Sequence, residues 1–264
     1  MKIIMKKDIV VGLGEIGMPI LKLMSKKENI VGYDLNKKLM NENKFKKFQN
    51  KQTRFLHVAI PVTKKFNSNI LKLHKQFMPE CIVIHSTISP GTTEQLQKKL
   101  KIPLIFSATR GVHKRMLKDL QRYTKFFAIS KSASKKEWAA IEYRKTMMKC
   151  GIKTQRMSKP ETLELAKILC DTSYLGWLIN YAQLTNTIAI QHNVDYDEMW
   201  KFSDEIHEIL GNRPKMFPGF IGGHCVIPNL DLMQNQTLNL IKTINQKYSK
   251  KVKNSKNIHK KYTK

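Results

Sequence analysis

The sequence predicts an α/β protein, a doubly wound parallel sheet followed by a smaller all-helical domain with a long helix. Three observations predict it. Short apolar strands alternate with Lys-rich helical stretches through residues 1–157, the pattern of a parallel sheet wrapped by crossover helices. A glycine-rich turn joins the first strand to the first helix. From Glu161 to about Gln191 the chain has no proline and keeps an apolar helical repeat, which reads as a long helix opening a second domain.

In order along the chain, "DIVVGLG" is an apolar strand ending in glycine, "MPILKLMSKK" a helix, and "NIVGYDLN" a second strand. The strands "RFLHVAIPV", "CIVIHSTIS", "IPLIFSA" and "KFFAIS" follow, separated by helical stretches such as "TTEQLQKKLK" and "SKKEWAAIEYRKTMMKCG". The expected organisation is a sheet domain over 1–157, a helical domain over 158–240, and a Lys-rich tail over 241–264. The tail carries few apolar residues and is expected to be disordered.

At 264 residues and 41% hydrophobic content the chain can bury real cores. No apolar run reaches the roughly 18 residues that span a bilayer. The start "MKIIMKKDIVVGLG" runs into a glycine turn rather than a small-residue cleavage site, so a cytoplasmic protein is expected. Cys81, Cys150, Cys170 and Cys225 are scattered with no CxxC pair. They read as free thiols in a reducing compartment, with neither a disulfide framework nor a metal site. The net charge of +28 raises nucleic acid as a partner. Lysine is spread along the whole chain, however, and concentrates only in "KYSKKVKNSKNIHKKYTK". The charge is therefore read as solvated faces and compositional bias, with attraction of a polyanion or anionic substrate the lesser alternative.

Gly12, Gly14 and Gly17 form GxGxxG between the first strand and the first helix, and Asp34 closes the second strand. In that context the glycines let a pyrophosphate approach the backbone at a helix N-terminus, and the acid bonds ribose hydroxyls. This is a Rossmann-type arrangement, and an acid at that place favours NAD over NADP. Glu15 and Ile16 within the turn, Pro61 after the third strand, and Ser86 and Thr87 after the fourth complete the expected cofactor contacts.

The stretch "HSTISPGTT", His85 to Thr93, places hydroxyls and a Pro-Gly turn at the carboxyl end of a strand, where open α/β sheets bind ligands. Thr92 and Thr93 also suit a helix cap. In "ETLELAKILCDTSYLGWLINYAQL", Lys167 and Asp171 lie four residues apart on one helix face. This is either a structural ion pair or a cation held for chemistry beside a nucleophile. The loop "FPGFIGGHCVIPN" crowds Gly219, Gly222 and Gly223 before His224 and Cys225, a backbone that something must approach closely.

The ordered set GLGxxG, "STISPGTT", "ELAK" and "PGFIGGHCVIPN" resembles the UDP-glucose/GDP-mannose dehydrogenase family, in particular its UDP-N-acetylmannosamine dehydrogenase-like branch, over about Asp8 to Asn229. The resemblance implies NAD-dependent, four-electron oxidation of a nucleotide sugar's primary alcohol to a carboxylate. Cys225 would be the nucleophile that forms a thiohemiacetal and then a thioester. Lys167 matches the family's catalytic lysine, which stabilises an oxyanion and contacts substrate. Thr87 matches the threonine near nicotinamide and the catalytic water. Gly219, Gly222, Gly223 and His224 would line the sugar, with His224 read as orienting rather than transferring protons. The helix from Glu161 resembles the family's dimerisation helix and implies a homodimer.

Four departures qualify the transfer. The family has asparagine four residues after the lysine, where this chain has Asp171. It has aspartate four residues after the cysteine, where this chain has Asn229, so the two residue types are exchanged. A glutamate expected after the fifth strand is Thr109, which leaves Arg110 to clamp an acidic part of the substrate. The chain is also a short form, ending about 35 residues after Asn229 and so lacking the family's third, nucleotide-holding domain. Two other readings stay open. One is a single-step dehydrogenase of the 3-hydroxyacid/6-phosphogluconate kind, which needs no cysteine, and the other is a non-catalytic NAD-binding module.

Overall fold

Strand β1 (Lys7–Val11) is buried along its whole length, and the reason is in its composition: Ile9, Val10 and Val11 fill both faces of a sheet covered on each side. β2 (Ile30–Tyr33) and β3 (Thr53–Val58) flank it, and β4 (Cys81–Ile84), β5 (Leu104–Phe106), β6 (Lys125–Ile129) and β7 (Thr154–Arg156) extend the sheet. The order is β2-β1-β3-β4-β5-β6-β7. The computed structural model describes residues 6–211, 218–223, 225–232 and 235–254. The chain divides into two compact units, Met1–Ala166 and Lys167–Lys264.

Alternation along the strands feeds two cores. Val10, Phe55, Val83, Ile105 and Phe127 point to one face. There they meet α1 (Gly17–Met24), α5 (Met116–Arg122) and α6 (Lys136–Lys149) through Ile20, Met116 and Tyr143. Ile9, Leu56, Ile82, Leu104 and Ala128 point to the other, packed by α3 (Phe66–Phe77) and α4 (Thr92–Gln97) through Ile70 and Leu96. A short α2 (Glu42–Lys47), capped by the Asn41 side chain, follows β2. Helices on both faces give the doubly wound α/β fold that the sequence predicts.

The sheet differs from the expectation in two respects. β6 runs antiparallel to β5, while every other neighbouring pair is parallel. Residue composition does not encode strand direction; the connection through α5 does. β7, three polar residues on the sheet edge, carries no apolar signal and is an addition to the predicted strands.

The border between units also falls later than residue 157. Helix α7 (Pro160–Ala166) joins the first unit because Leu163 is part of a sheet-face core. Helical structure then continues through a π-helical segment (Lys167–Ser173) into α8 (Tyr174–Gln191), so the long helix from Glu161 is present with a widened turn inside it. α9 (Tyr196–Leu210), capped by Asp195, α10 (Val226–Leu230) and α11 (Gln236–Asn254) complete the second unit. The tail expected to be disordered from residue 241 is helical as far as Asn254. Leu238, Ile241, Asn245 and Tyr248 recur at three- and four-residue spacing and are buried, giving α11 a face that lysine content concealed. Residues 255–264 lie outside the described residues. Among the described residues no helix is long and apolar enough to cross a membrane.

A polar chain runs through the first unit's interior. His57 Nδ1 lies 2.9 Å from His85 Nε2, and His85 Nδ1 lies 3.2 Å from the Ser107 carbonyl oxygen. A carbonyl can only accept, so His85 carries its proton on Nδ1. His57 must then donate from its own Nδ1, leaving its Nε2 as a buried acceptor without a protein partner. Burial pushes the His57 pKa down to about 3, and burial together with the Lys125 charge depresses His85 as well. Both rings are neutral when folded, and on unfolding they take up protons below their ordinary pKa of about 6.5. The stability they permit is complete above that pH and is lost as pH falls, at up to about 1.4 kcal/mol per pH unit for each ring. Thermal unfolding followed from pH 8 to pH 5 will show the midpoint falling below pH 6.5, and the His57→Leu variant will show a shallower fall.

Candidate active site

The order of the sheet decides where a ligand can sit. β2 lies on one side of β1 and β3 on the other, so the chain reverses direction of build between β1 and β3 and opens a crevice at their carboxyl ends. Gly12 stands at that point with φ +85°, and a β-carbon there would meet the Ala59 carbonyl oxygen at 2.4 Å. At Gly17, the start of α1, a β-carbon would lie 1.7 Å from the Gly12 carbonyl oxygen. These two glycines are demanded by the protein's own backbone. Gly14 is different: a β-carbon there would meet nothing within 4 Å, so its bare backbone faces open space at the mouth of the crevice.

Asp34 reaches the same turn, its Oδ2 accepting from the Leu13 amide at 2.6 Å and its Oδ1 from Asn36 at 2.8 Å. Beside it, Tyr33, Leu35, Lys37, Met40 and Phe45 line a cavity of about 340 Å³. Glu15 is exposed with Oε2 2.6 Å from His113 Nδ1, while Ile16 is half-buried against the core and Pro61 is exposed after β3. Ser86 donates from Oγ to the Ile60 carbonyl at 2.6 Å, and Thr87 next to it is half-buried. The turn glycines, Asp34, Pro61 and Ser86–Thr87 thus all follow carboxyl ends of β1, β2, β3 and β4. The bare Gly14 backbone and an adjacent acid fit a dinucleotide with a free ribose, which is the requirement of NAD.

Past β5, Thr109 is buried and its Oγ1 accepts from Lys125 Nζ at 3.1 Å; the same ammonium donates to the Ser107 carbonyl at 3.1 Å. A buried cation therefore stands where a carboxylate-bearing residue was expected. Arg110 turns back to the Thr124 carbonyl at 2.7 Å and lies over the Phe126 ring at 5.1 Å, engaged by its own loop.

In the second unit the π segment holds Lys167 and Asp171 as an ion pair. The wide π turn leaves helix carbonyls poorly matched, and side chains answer them: Thr172 Oγ1 donates to Lys167 O at 3.1 Å and Ser173 Oγ to Leu169 O at 2.8 Å. α10 begins immediately after Cys225, includes Asn229, and packs against this π segment. Val226 and Ile241 also close on Gly176, where a β-carbon would approach them to 3.1 and 3.2 Å. Cys225 and Cys170 are exposed; Cys81 and Cys150 are buried, with burial pushing the Cys150 thiol up to about 11.

The approach to Cys225 is held by amides that sequence reasoning missed. Gln183 of α8 donates to the Gly219 carbonyl at 2.7 Å. Asn245 of α11 brackets Ile221, accepting from its amide at 2.8 Å and donating to its carbonyl at 3.0 Å. A buried Asn on an otherwise apolar helix face was the available signal. Gly222 and Gly223 are exposed, and Gly223 has φ +73°. His224 lies outside the described residues.

The comparisons with known proteins bear on this arrangement. No protein-family model matches the sequence. Protein CapL of Staphylococcus aureus is 25% identical over 261 residues, covering 82% of this chain and 59% of CapL. Among solved structures, the UDP-D-ManNAc dehydrogenase of Pyrococcus horikoshii superposes with a TM-score of 0.74 at 17% identity, covering 94% of this chain and 70% of that one. The chain has the fold of the UDP-sugar dehydrogenases' N-terminal part, as its motifs imply. The 3-hydroxyisobutyrate dehydrogenase of Mycobacterium tuberculosis also superposes, with a TM-score of 0.65 at 12% identity, covering 93% of this chain and 94% of that one. The chain thus spans about three-fifths of the length of CapL and nearly the whole of the shorter dehydrogenase.

Within this dehydrogenase fold the glycines separate by role. Gly17→Ala will lower the melting temperature sharply, because backbone must move to admit the methyl group. Gly14→Ala will melt near wild type yet bind NAD at least about tenfold more weakly, the loss expected when a methyl group keeps a ligand from a backbone it must touch. Calorimetry and an NAD titration on the two variants check this.

Proposed function

We propose that the chain oxidises the primary alcohol of a nucleotide sugar, a UDP- or GDP-sugar, to the uronic acid, with NAD as oxidant and Cys225 as nucleophile. The observation that carries this reading is the packing of α10, which begins immediately after Cys225, on the π segment that bears the Lys167–Asp171 pair. NAD, when bound, accepts a hydride at each of the two oxidations. The residues 1–166 supply its cradle through Gly12, Gly14, Gly17 and Asp34. Ser86 and Thr87 are assigned to the nicotinamide end.

The protein's part in the chemistry follows from charge. The Cys225 thiolate adds to the aldehyde carbon, and the oxygen gains negative charge as the thiohemiacetal forms. The Lys167 ammonium stabilises that oxygen, and Asp171 orients the lysine. Oxidation of the thiohemiacetal leaves a thioester, and water releases the acid and regenerates the thiol. Asn229, one helical turn beyond Cys225, takes the place of the expected carboxylate while Asp171 carries it instead, so one acid is retained on the packed pair of elements. Gly219, Gly222, Gly223, His224 and Arg110 are the remaining candidates for holding substrate.

A single-step hydroxyacid dehydrogenase is the second reading, supported by the superposition on the mycobacterial 3-hydroxyisobutyrate dehydrogenase. NADH formed per sugar consumed separates the two. Over a panel of UDP- and GDP-sugars, two NADH per sugar that is abolished or stalled in Cys225→Ser is the expected result. One NADH per substrate, indifferent to the mutation, would establish the single-step reading, and NAD binding without turnover the binding module.

The proposed assembly is a homodimer through the second unit. Tyr181, Leu184 and Ile188 on α8 and Phe202, Ile206 and Ile209 on α9 are exposed, Phe202 at 91%. Apolar residues at helical spacing on adjacent helices make a larger patch than a monomer usually leaves in water. Sedimentation will give twice the chain mass of 30.7 kDa, and Phe202→Glu combined with Leu184→Glu will give the monomer.

A further inference from the structure

Glu164 is fully buried, a position carboxylates rarely occupy without strong partners. It lies on α7, three residues before Lys167, yet its carboxylate belongs to the turn after β4. Oε2 accepts from the Gly91 amide at 2.6 Å. Oε1 accepts from the Thr93 amide at 3.0 Å and from Thr93 Oγ1 at 2.6 Å. All three donors sit where α4 begins, so the carboxylate satisfies N–H groups that the helix itself cannot. The other end of the same turn is fastened separately, by Ser86 Oγ on the Ile60 carbonyl at 2.6 Å and by the His85 amide on Val58 O at 2.8 Å.

Thr87 lies between these two fastenings. We propose that Glu164 is a positioning residue: its carboxylate pins the distal end of the Ser86–Thr93 turn so that Thr87 is presented in one conformation to the reacting centre. The function of the turn rests on the dehydrogenase reading above; the pinning itself does not. Burial raises the Glu164 carboxyl above its ordinary value, against the pull of the Thr93 and Gly91 donors. The three donors favour the ionised form, because a protonated carboxyl would turn a hydrogen toward one of them. A glutamine has the same defect, since its NH₂ would face an amide N–H.

Thr93 provides the test least exposed to misfolding. Thr93→Val keeps the shape and removes one of the three bonds, whereas Thr93→Ser keeps the hydroxyl. Both are compared with Glu164→Gln by hydrogen–deuterium exchange of the peptide spanning residues 86–93 and by steady-state kinetics with a nucleotide sugar and NAD. The expected result is exchange at least about tenfold faster in Glu164→Gln and intermediate in Thr93→Val. kcat should fall by about tenfold or more in Glu164→Gln while KM for NAD changes less than about threefold, and Thr93→Ser should restore wild-type behaviour. Unchanged exchange in a folded Glu164→Gln would overturn the pinning. Faster exchange with kcat unchanged would overturn the positioning role. If the wild type turns over no nucleotide sugar, the proposed activity fails separately and exchange alone decides the pinning. Should Glu164→Gln fail to fold, the Val/Ser contrast at Thr93 decides both points: faster exchange and lower kcat in Thr93→Val alone support them, and identical behaviour of the two variants overturns them.

Discussion

The first unit depends on a place where two stretches of backbone pass with no room for a side chain. Gly17 must sit against the Gly12 carbonyl for α1 to start where it does, and Gly12 must sit against Ala59 for β1 and β3 to pair up to their ends. Those contacts fix the separation of the strand ends at the crevice. They also leave the intervening residues, Leu13 to Ile16, as the turn between β1 and α1. The open space above Gly14 and the reach of Asp34 to Leu13 both follow from that crossing. The shape of the candidate crevice thus follows from close backbone packing at Gly12 and Gly17.

Two further features hold the strand ends from below. The His57–His85 pair ties β3 to β4 through a ladder of imidazoles in place of apolar side chains, and Lys125 gathers carbonyls at the end of β5. Both are polar groups buried at the cost of their water, and each stays viable only because of its partners. Lys125 also explains the neutral Thr109. With an ammonium already bonded to three oxygens there, a glutamate would be drawn into that cluster and away from solvent.

The legible part of the fold was the local part. GxGxxG, the alternating strands and the proline-free helix announce themselves within a dozen residues, and each stands where its pattern implied. What escaped depended on distant partners. Glu164 in sequence is one acid on a helix, indistinguishable from a solvated one, until the β4 turn closes over it. Residues 241–264 read as a tail because their lysines outnumber their apolar residues, although Ile241 and Tyr248 continue a helical spacing from Leu238. Of the candidate site, the glycine turn and the cysteine loop were singled out from sequence. Gln183 and Asn245, which hold that loop, were not, because an amide in a helix says nothing of which carbonyl it will meet.

The widened turn at Lys167–Ser173 has a bearing on how this chain tolerates length change. An α-helix advances about 100° per residue, so a one-residue deletion within the segment could be absorbed by tightening π back to α. The register of α8 against α10 and α11 would survive. The cation and carboxylate would instead be swung about a quarter of a turn around the helix axis. Indels here would therefore leave a stable scaffold in which only the facing of the Lys167–Asp171 pair has changed.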